Sequence, residues 1–105
     1  MRAENVLLSN GAKQSLYNIF QVICNPGDEV ILPTPCWVSF AEQIRLSGAA
    51  PVLVPIRGGC LDLEAMAAAV TPRTKALLIN SPGNPTGAVY SASELAKAAD
   101  LAARH

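Results

Sequence analysis

Three stretches of this chain are short, unbroken apolar runs: "EVILPTP" (29–35), "APVLVPI" (50–56) and "KALLIN" (75–80). None alternates apolar with polar residues, as a strand with one wet face would. Continuous runs of this kind belong to strands buried on both faces, which is the situation in a parallel sheet covered by helices. A fourth stretch, "ENVLLSN" (4–10), reads as a short strand ahead of them.

Helical segments fill the intervals. In "GAKQSLYNIFQVIC" (11–24), Leu16, Ile19, Phe20 and Ile23 fall at i, i+3, i+4 and i+7, one apolar face. "NPGD" (25–28) stops that helix. "WVSFAEQIRLSG" (37–48) is a second helix, closed by Gly48, and Asp62 can cap a third over 63–70. "TPRT" (71–74) breaks it, and Ser91 with Glu94 has the spacing of a capping box for a last helix. The order is βαβαβαβα in one unit, without repeats or linkers. It predicts an α/β fold with parallel strands and right-handed crossovers.

Composition narrows the class. Of 105 residues, half are hydrophobic, and eight basic residues balance eight acidic ones. That excludes a disordered chain, and with no Lys/Arg cluster it argues against nucleic-acid binding. No run is long enough to span a membrane and "MRAENVLLSN" has no signal-peptide core, so no membrane role and a cytoplasmic setting are expected. Cys24, Cys36 and Cys60 are odd in number and lack metal-site spacing, so they read as small hydrophobes and no metal site is expected.

In a parallel sheet every strand-to-helix loop lies at the carboxyl edge, where open α/β folds bind ligands. Here those loops include "SNGAK", "PTPCW" and "NSPGNPTG". An ordinary connection needs about two to six unremarkable residues. "NSPGNPTG" instead holds two asparagines, two prolines and two glycines in a row of eight. It is either a rigid loop presenting Asn80 and Asn84 to a ligand, or an elaborate turn whose asparagines bond only to backbone. "SNGAK" opens a helix whose first N–H groups lack partners. It is either a plain helix start or, with Lys13, an anion site. Trp37, the only tryptophan, is either core or a platform for a planar ring. His105, Tyr17 and Tyr90 need no role beyond solvation or packing.

Taken together, "NGAKQSLYN" (10–18), "PGDEVILPTPCWVSF" (26–40) and "TPRTKALLINSPGNPTGAVYS" (71–91) resemble the class I/II aminotransferases, pyridoxal-phosphate enzymes of fold type I. They come in that family's order and spacing, nearest to its aspartate aminotransferase-like branch. The resemblance implies a three-layer α/β/α large domain with a mainly parallel sheet, of which residues 1–105 are a part, truncated at both ends. It implies pyridoxal 5′-phosphate as cofactor, an amino acid and a 2-oxo acid as substrates, and a homodimeric parent enzyme.

By position, Gly11, Ala12 and Lys13 would hold the cofactor phosphate through backbone N–H groups. Trp37 would stack on the pyridine ring, and Asn84 would donate to its phenolic oxygen and lie near the substrate carboxylate. Asn80 would support the same pocket, and the Asn84–Pro85 bond would be cis. The family's Schiff-base lysine has no counterpart, since Lys13, Lys75 and Lys97 stand in other contexts. The aspartate that meets the pyridine nitrogen, a nearby tyrosine and the substrate-binding arginine have none either. No catalytic residue is therefore assigned, and the chain alone is expected to be inactive. Two other readings stay open: a non-catalytic partial gene product, and a piece of a pyridoxal-phosphate-dependent C–S lyase of the same fold.

Overall fold

The computed structural model describes residues 2–105. A 3₁₀ turn at Ala3–Asn5 precedes α1 (Ala12–Ile23), β1 (Glu29–Thr34), α2 (Val38–Leu46), β2 (Ala50–Pro55), α3 (Leu63–Ala68), β3 (Thr74–Leu77) and α4 (Ala92–Arg104). The strands form one parallel sheet in the order β2-β1-β3.

The continuous apolar runs are explained by which way the side chains point. Val30 and Leu32 of β1 pack against Phe20 of α1 and against Phe40 and Ile44 of α2. Ile31, between them, faces Met66 of α3 and Ala98 and Leu101 of α4 on the opposite side. Successive side chains of a strand alternate faces, so a central strand covered on both sides must be apolar at every position. Val30, Ile31 and Leu32 are at most 1% exposed. The result is three layers, with α1 and α2 on one face and α3 and α4 on the other. β2 is an outer strand and carries Pro51 and Pro55, residues that an edge tolerates because one side needs no ladder donor.

The expected strand over 4–10 does not form. Ala3–Asn5 make the 3₁₀ turn, and the residues that follow are not part of the sheet, although Val6 has extended dihedrals (φ −121°, ψ 125°). A strand exists only by pairing, and none of the three strands lies alongside this stretch. Leu7 and Leu8 are consequently 69% and 92% exposed. The strand expected over 75–80 is also shorter, Thr74–Leu77, though Leu78 N–H still donates to Ile31 O at 3.0 Å.

At the amino end of the sheet, Glu29 is buried and staples β1 to the turn before β3. Its carboxylate accepts from the Thr71 hydroxyl and from Arg73, whose Nε lies at 3.1 Å. Glu94 works similarly at the start of α4. It accepts from Ser91 N–H at 2.9 Å and from Leu61 N–H at 3.1 Å, and the Ser91 hydroxyl accepts from Glu94 N–H to complete the capping box.

Both carboxyls are held below their ordinary value of 4.5, Glu29 first by the Thr71 hydroxyl and then Arg73, Glu94 first by the Ser91 N–H. A depressed native value means stability that is complete above the unfolded value and lost as protons bind the native form. The urea midpoint should therefore hold steady from neutral pH down to about 4.5 and fall below it. Glu29→Gln should flatten part of that fall; an unchanged acid limb would remove Glu29 from this account.

Candidate functional site

The chain leaves β1 toward one side of the sheet, through α2 to β2, and returns through α3 to β3 on the other side of β1. The carboxyl ends of β1 and β3 therefore flank a point where the winding reverses, the place where open α/β sheets form a ligand crevice. The loops that follow these strands are Pro35–Trp37 and the long segment from Leu78 to Ser91.

The loop after β1 aims Trp37. Trp37 is the N-cap of α2, and its ring meets Phe40 edge-on, with centroids 5.4 Å apart and planes at 89°. One edge is thus fixed in the core. The Lys13 ammonium lies over the ring at 4.7 Å from its centroid, a cation–π contact. The structure therefore joins the "SNGAK" turn to the tryptophan, two features some two dozen residues apart in sequence.

Gly11 sets the shape of that turn. Its φ of 82° and ψ of 171° lie in a region essentially reserved for glycine, and no atom lies within 4 Å of where a Cβ would be. As N-cap of α1 it offers no side chain to cap the helix. Among the described residues, the N–H groups of Ala12 and Lys13 have no acceptor, whereas Asn10 N–H is taken by the Gln14 side chain. Two unpaired N–H groups at the positive end of a twelve-residue helix, with an open backbone before them, suit an anion. Donors suited to an anion and an aromatic face suited to a planar ring thus lie side by side.

The loop after β3 is braced by its own backbone. Gly83 N–H donates to Ala88 O and Gly87 N–H to Gly83 O, both at 2.7 Å. The Asn80 side chain accepts from Asn84 N–H at 3.1 Å, so Asn80 shapes the loop. The Asn84 side chain is exposed and has no hydrogen-bond partner among the described residues. The Asn84–Pro85 bond is cis, as the resemblance implies; Thr34–Pro35 and Ser81–Pro82, not anticipated from sequence, are cis too. Asn80 and Asn84 line one narrow cleft together with Cys36 and Phe40, the neighbours of Trp37. Burial raises the Cys36 thiol above its ordinary value, and it raises Tyr90, which lines the same cleft, likewise.

One residue of this region was not picked out from sequence. Gln43 of α2 donates through Nε2 to the carbonyl of Lys13 at 2.8 Å. Its signal was available: Phe40, Gln43 and Ile44 are the buried positions of α2, so a glutamine sits on an otherwise apolar stripe. A separate hollow of about 410 Å³ runs along the open side of β3 and includes Arg73, Lys75 and His105, none of which takes part in the three loops. Among the described residues there is no cluster of His, Cys, Asp or Glu able to hold a metal, and no helix long and apolar enough to cross a membrane.

Comparison with known proteins gives the family. The family model for aminotransferase class I and II matches residues 1–105. A probable aspartate/prephenate aminotransferase of Thermus aquaticus is 48% identical over 105 residues, covering 97% of this chain and 27% of the relative. A probable aspartate/prephenate aminotransferase of Aquifex aeolicus is 50% identical over 103 residues, covering 95% of this chain and 26% of the relative. The solved structure of Thermus thermophilus aspartate aminotransferase with maleate superposes with a TM-score of 0.88 at 50% identity, over 90% of this chain and 26% of that one. The chain thus spans about a quarter of the length of the relatives it matches. With matched sequence and matched fold, the chain belongs to the pyridoxal-phosphate-dependent aminotransferase class I and II family.

Proposed function

We propose that these 105 residues are part of the large domain of an aminotransferase, and that they hold the phosphate and one face of the ring of pyridoxal 5′-phosphate. The observation that carries this reading is the meeting of the unpaired Ala12 and Lys13 N–H groups with the Trp37 ring, through a Lys13 ammonium 4.7 Å from the ring centroid. Ala12 and Lys13 N–H groups donate to the phosphate and Gly11 leaves them uncovered. Trp37 supports the ring from one side. Asn84, its amide free of other partners, donates to the phenolic oxygen and so favours the ionised ring. Asn80 keeps the Asn84 backbone in place at 3.1 Å.

When bound, the cofactor supplies the electron sink for moving an amino group between an amino acid and a 2-oxo acid, and the protein orients it. The relatives' names point to aspartate as the amino donor. Lys75 and Lys97 are exposed on β3 and α4, away from the three loops, and Lys13 is engaged at the ring. The lysine that links the cofactor covalently therefore comes from outside these residues, and the chain alone binds without turnover.

Titration with pyridoxine 5′-phosphate tests the binding claim, since that compound lacks the aldehyde and cannot label lysines. Trp37 is the only tryptophan, so its emission reports the ring directly. Saturable quenching is expected, and it should weaken in Gly11→Ala, which keeps the reporter. Supplying pyridoxal 5′-phosphate, aspartate and 2-oxoglutarate should give no oxaloacetate. Unquenched emission would sink the binding claim, and sustained transamination would sink the claim that the linking lysine lies elsewhere.

A further inference from the structure

We infer that Gln43 is a positioning residue for the phosphate end of the site, an inference that rests on the cofactor reading above. The tether is specific. A backbone carbonyl only accepts, so the Gln43 side chain must turn its nitrogen toward Lys13 O, where it lies at 2.8 Å. That leaves the other end of the amide without a partner: Gln43 Oε1 is buried and accepts no hydrogen bond among the described residues. Gln43 as a whole is 6% exposed and shares its stripe with Phe40 and Ile44. An apolar side chain of the same length would fill this position without a stranded oxygen. Packing alone therefore does not account for a glutamine here, whereas the bond to Lys13 does.

The geometry says what the bond controls. Lys13 stands in the first turn of α1, next to the unpaired N–H groups of Ala12 and of Lys13 itself. Gln43 stands on α2, whose N-cap is Trp37. The amide thus spans thirty residues of sequence to fix the first turn of one helix against the helix that carries the aromatic platform. Phosphate donors and ring platform are held at a set spacing, which a ligand with a rigid ring and a short phosphate arm requires. Affinity for such a ligand depends on how little the site must rearrange to receive it.

Two substitutions and two ligands test this in the full chain. Gln43→Met keeps length and burial but removes the donor. Gln43→Glu keeps shape and offers Lys13 O no donor when ionised. Each is titrated with pyridoxine 5′-phosphate and with pyridoxine, which shares the ring but lacks the phosphate, following Trp37 emission; thermal midpoints are measured alongside. Both variants should bind pyridoxine 5′-phosphate about fivefold more weakly, the worth of one ordinary hydrogen bond. Pyridoxine should be bound as before, and the midpoint of Gln43→Met should not fall. Parallel loss of both ligands, unchanged affinity for the phosphate form, or unfolding of both variants would make Gln43 a packing residue and overturn the inference. If the unsubstituted chain binds neither ligand, the cofactor reading itself fails, and this inference with it. An intact wild-type titration beside unaffected variants defeats the inference alone.

Discussion

Ile31→Ala is expected to lower the stability of the chain by about 2–5 kcal/mol, the range for truncating a buried aliphatic side chain where the cavity cannot close. Ile31 is fully buried and is β1's contribution to the core cluster that includes Val54, Leu61, Met66 and Leu101. Those residues come from β2, the loop before α3, α3 and α4, and cannot all move inward at once. A small domain is stable by about 5–15 kcal/mol in total, so the loss is a large fraction of what holds the fold. Urea unfolding followed by circular dichroism measures it. Val22→Ala serves as the comparison, because Val22 is 83% exposed on α1 and its truncation should change stability by about 0.5 kcal/mol or less. Equal, small effects at both positions would mean that the layer under α3 and α4 is not a packed core.

Gly11→Ala should weaken binding of pyridoxine 5′-phosphate about tenfold or more. The native φ of 82° with ψ of 171° costs an alanine about 1–3 kcal/mol, and 1.4 kcal/mol corresponds to a factor of ten. Nothing lies within 4 Å of the added methyl, so the strain comes from the backbone and not from a clash. The turn is exposed and can relieve the strain by rotating, which swings the Ala12 and Lys13 N–H groups away from their common direction. Gly58→Ala makes a fitting comparison: its φ is 56°, no atom lies near its Cβ position, and it stands in the loop before α3, away from the site. It should cost stability and leave affinity intact. Equal affinity in the two variants would show that the shape of the "SNGAK" turn does not matter to the ligand.

Most of the fold was readable because its signals are local. The apolar runs at 29–35 and 50–56, the stripe of Leu16, Phe20 and Ile23 (its fourth member, Ile19, is 48% exposed), and the Ser91–Glu94 capping box each fix an element through neighbours a few residues away. The segment at 4–10 misled for the same reason. Its β-forming residues express a preference, but pairing is a long-range event, and no strand of this sheet is beside it. The loops after β1 and β3 were legible as neighbours at one edge, since parallel topology collects them there, whereas "SNGAK" follows no strand of this sheet and is brought in only by the contact of Lys13 with Trp37. What the sequence could not show is which loops touch. The contact of Lys13 with Trp37 and the reach of Gln43 to Lys13 O depend on how α1 leans on α2, a matter of packing. The two roles imagined for the asparagines divide between them: Asn80 is spent on the loop backbone, and Asn84 has its amide free.

The sharing of β1 by both packed layers has a consequence for how the molecule opens. Among the described residues, β2 and β3 each have one side without a partner strand, so their amides meet solvent through small local fluctuations. The amides of Val30 and Ile31 have a neighbouring strand on either side and a helix layer above and below, and they exchange only when everything opens together. The strand with the slowest clock is also the one whose tip delivers Trp37. Trp37 thus rests on the longest-lived part of the molecule, while the exposed "SNGAK" turn can open without the fold letting go.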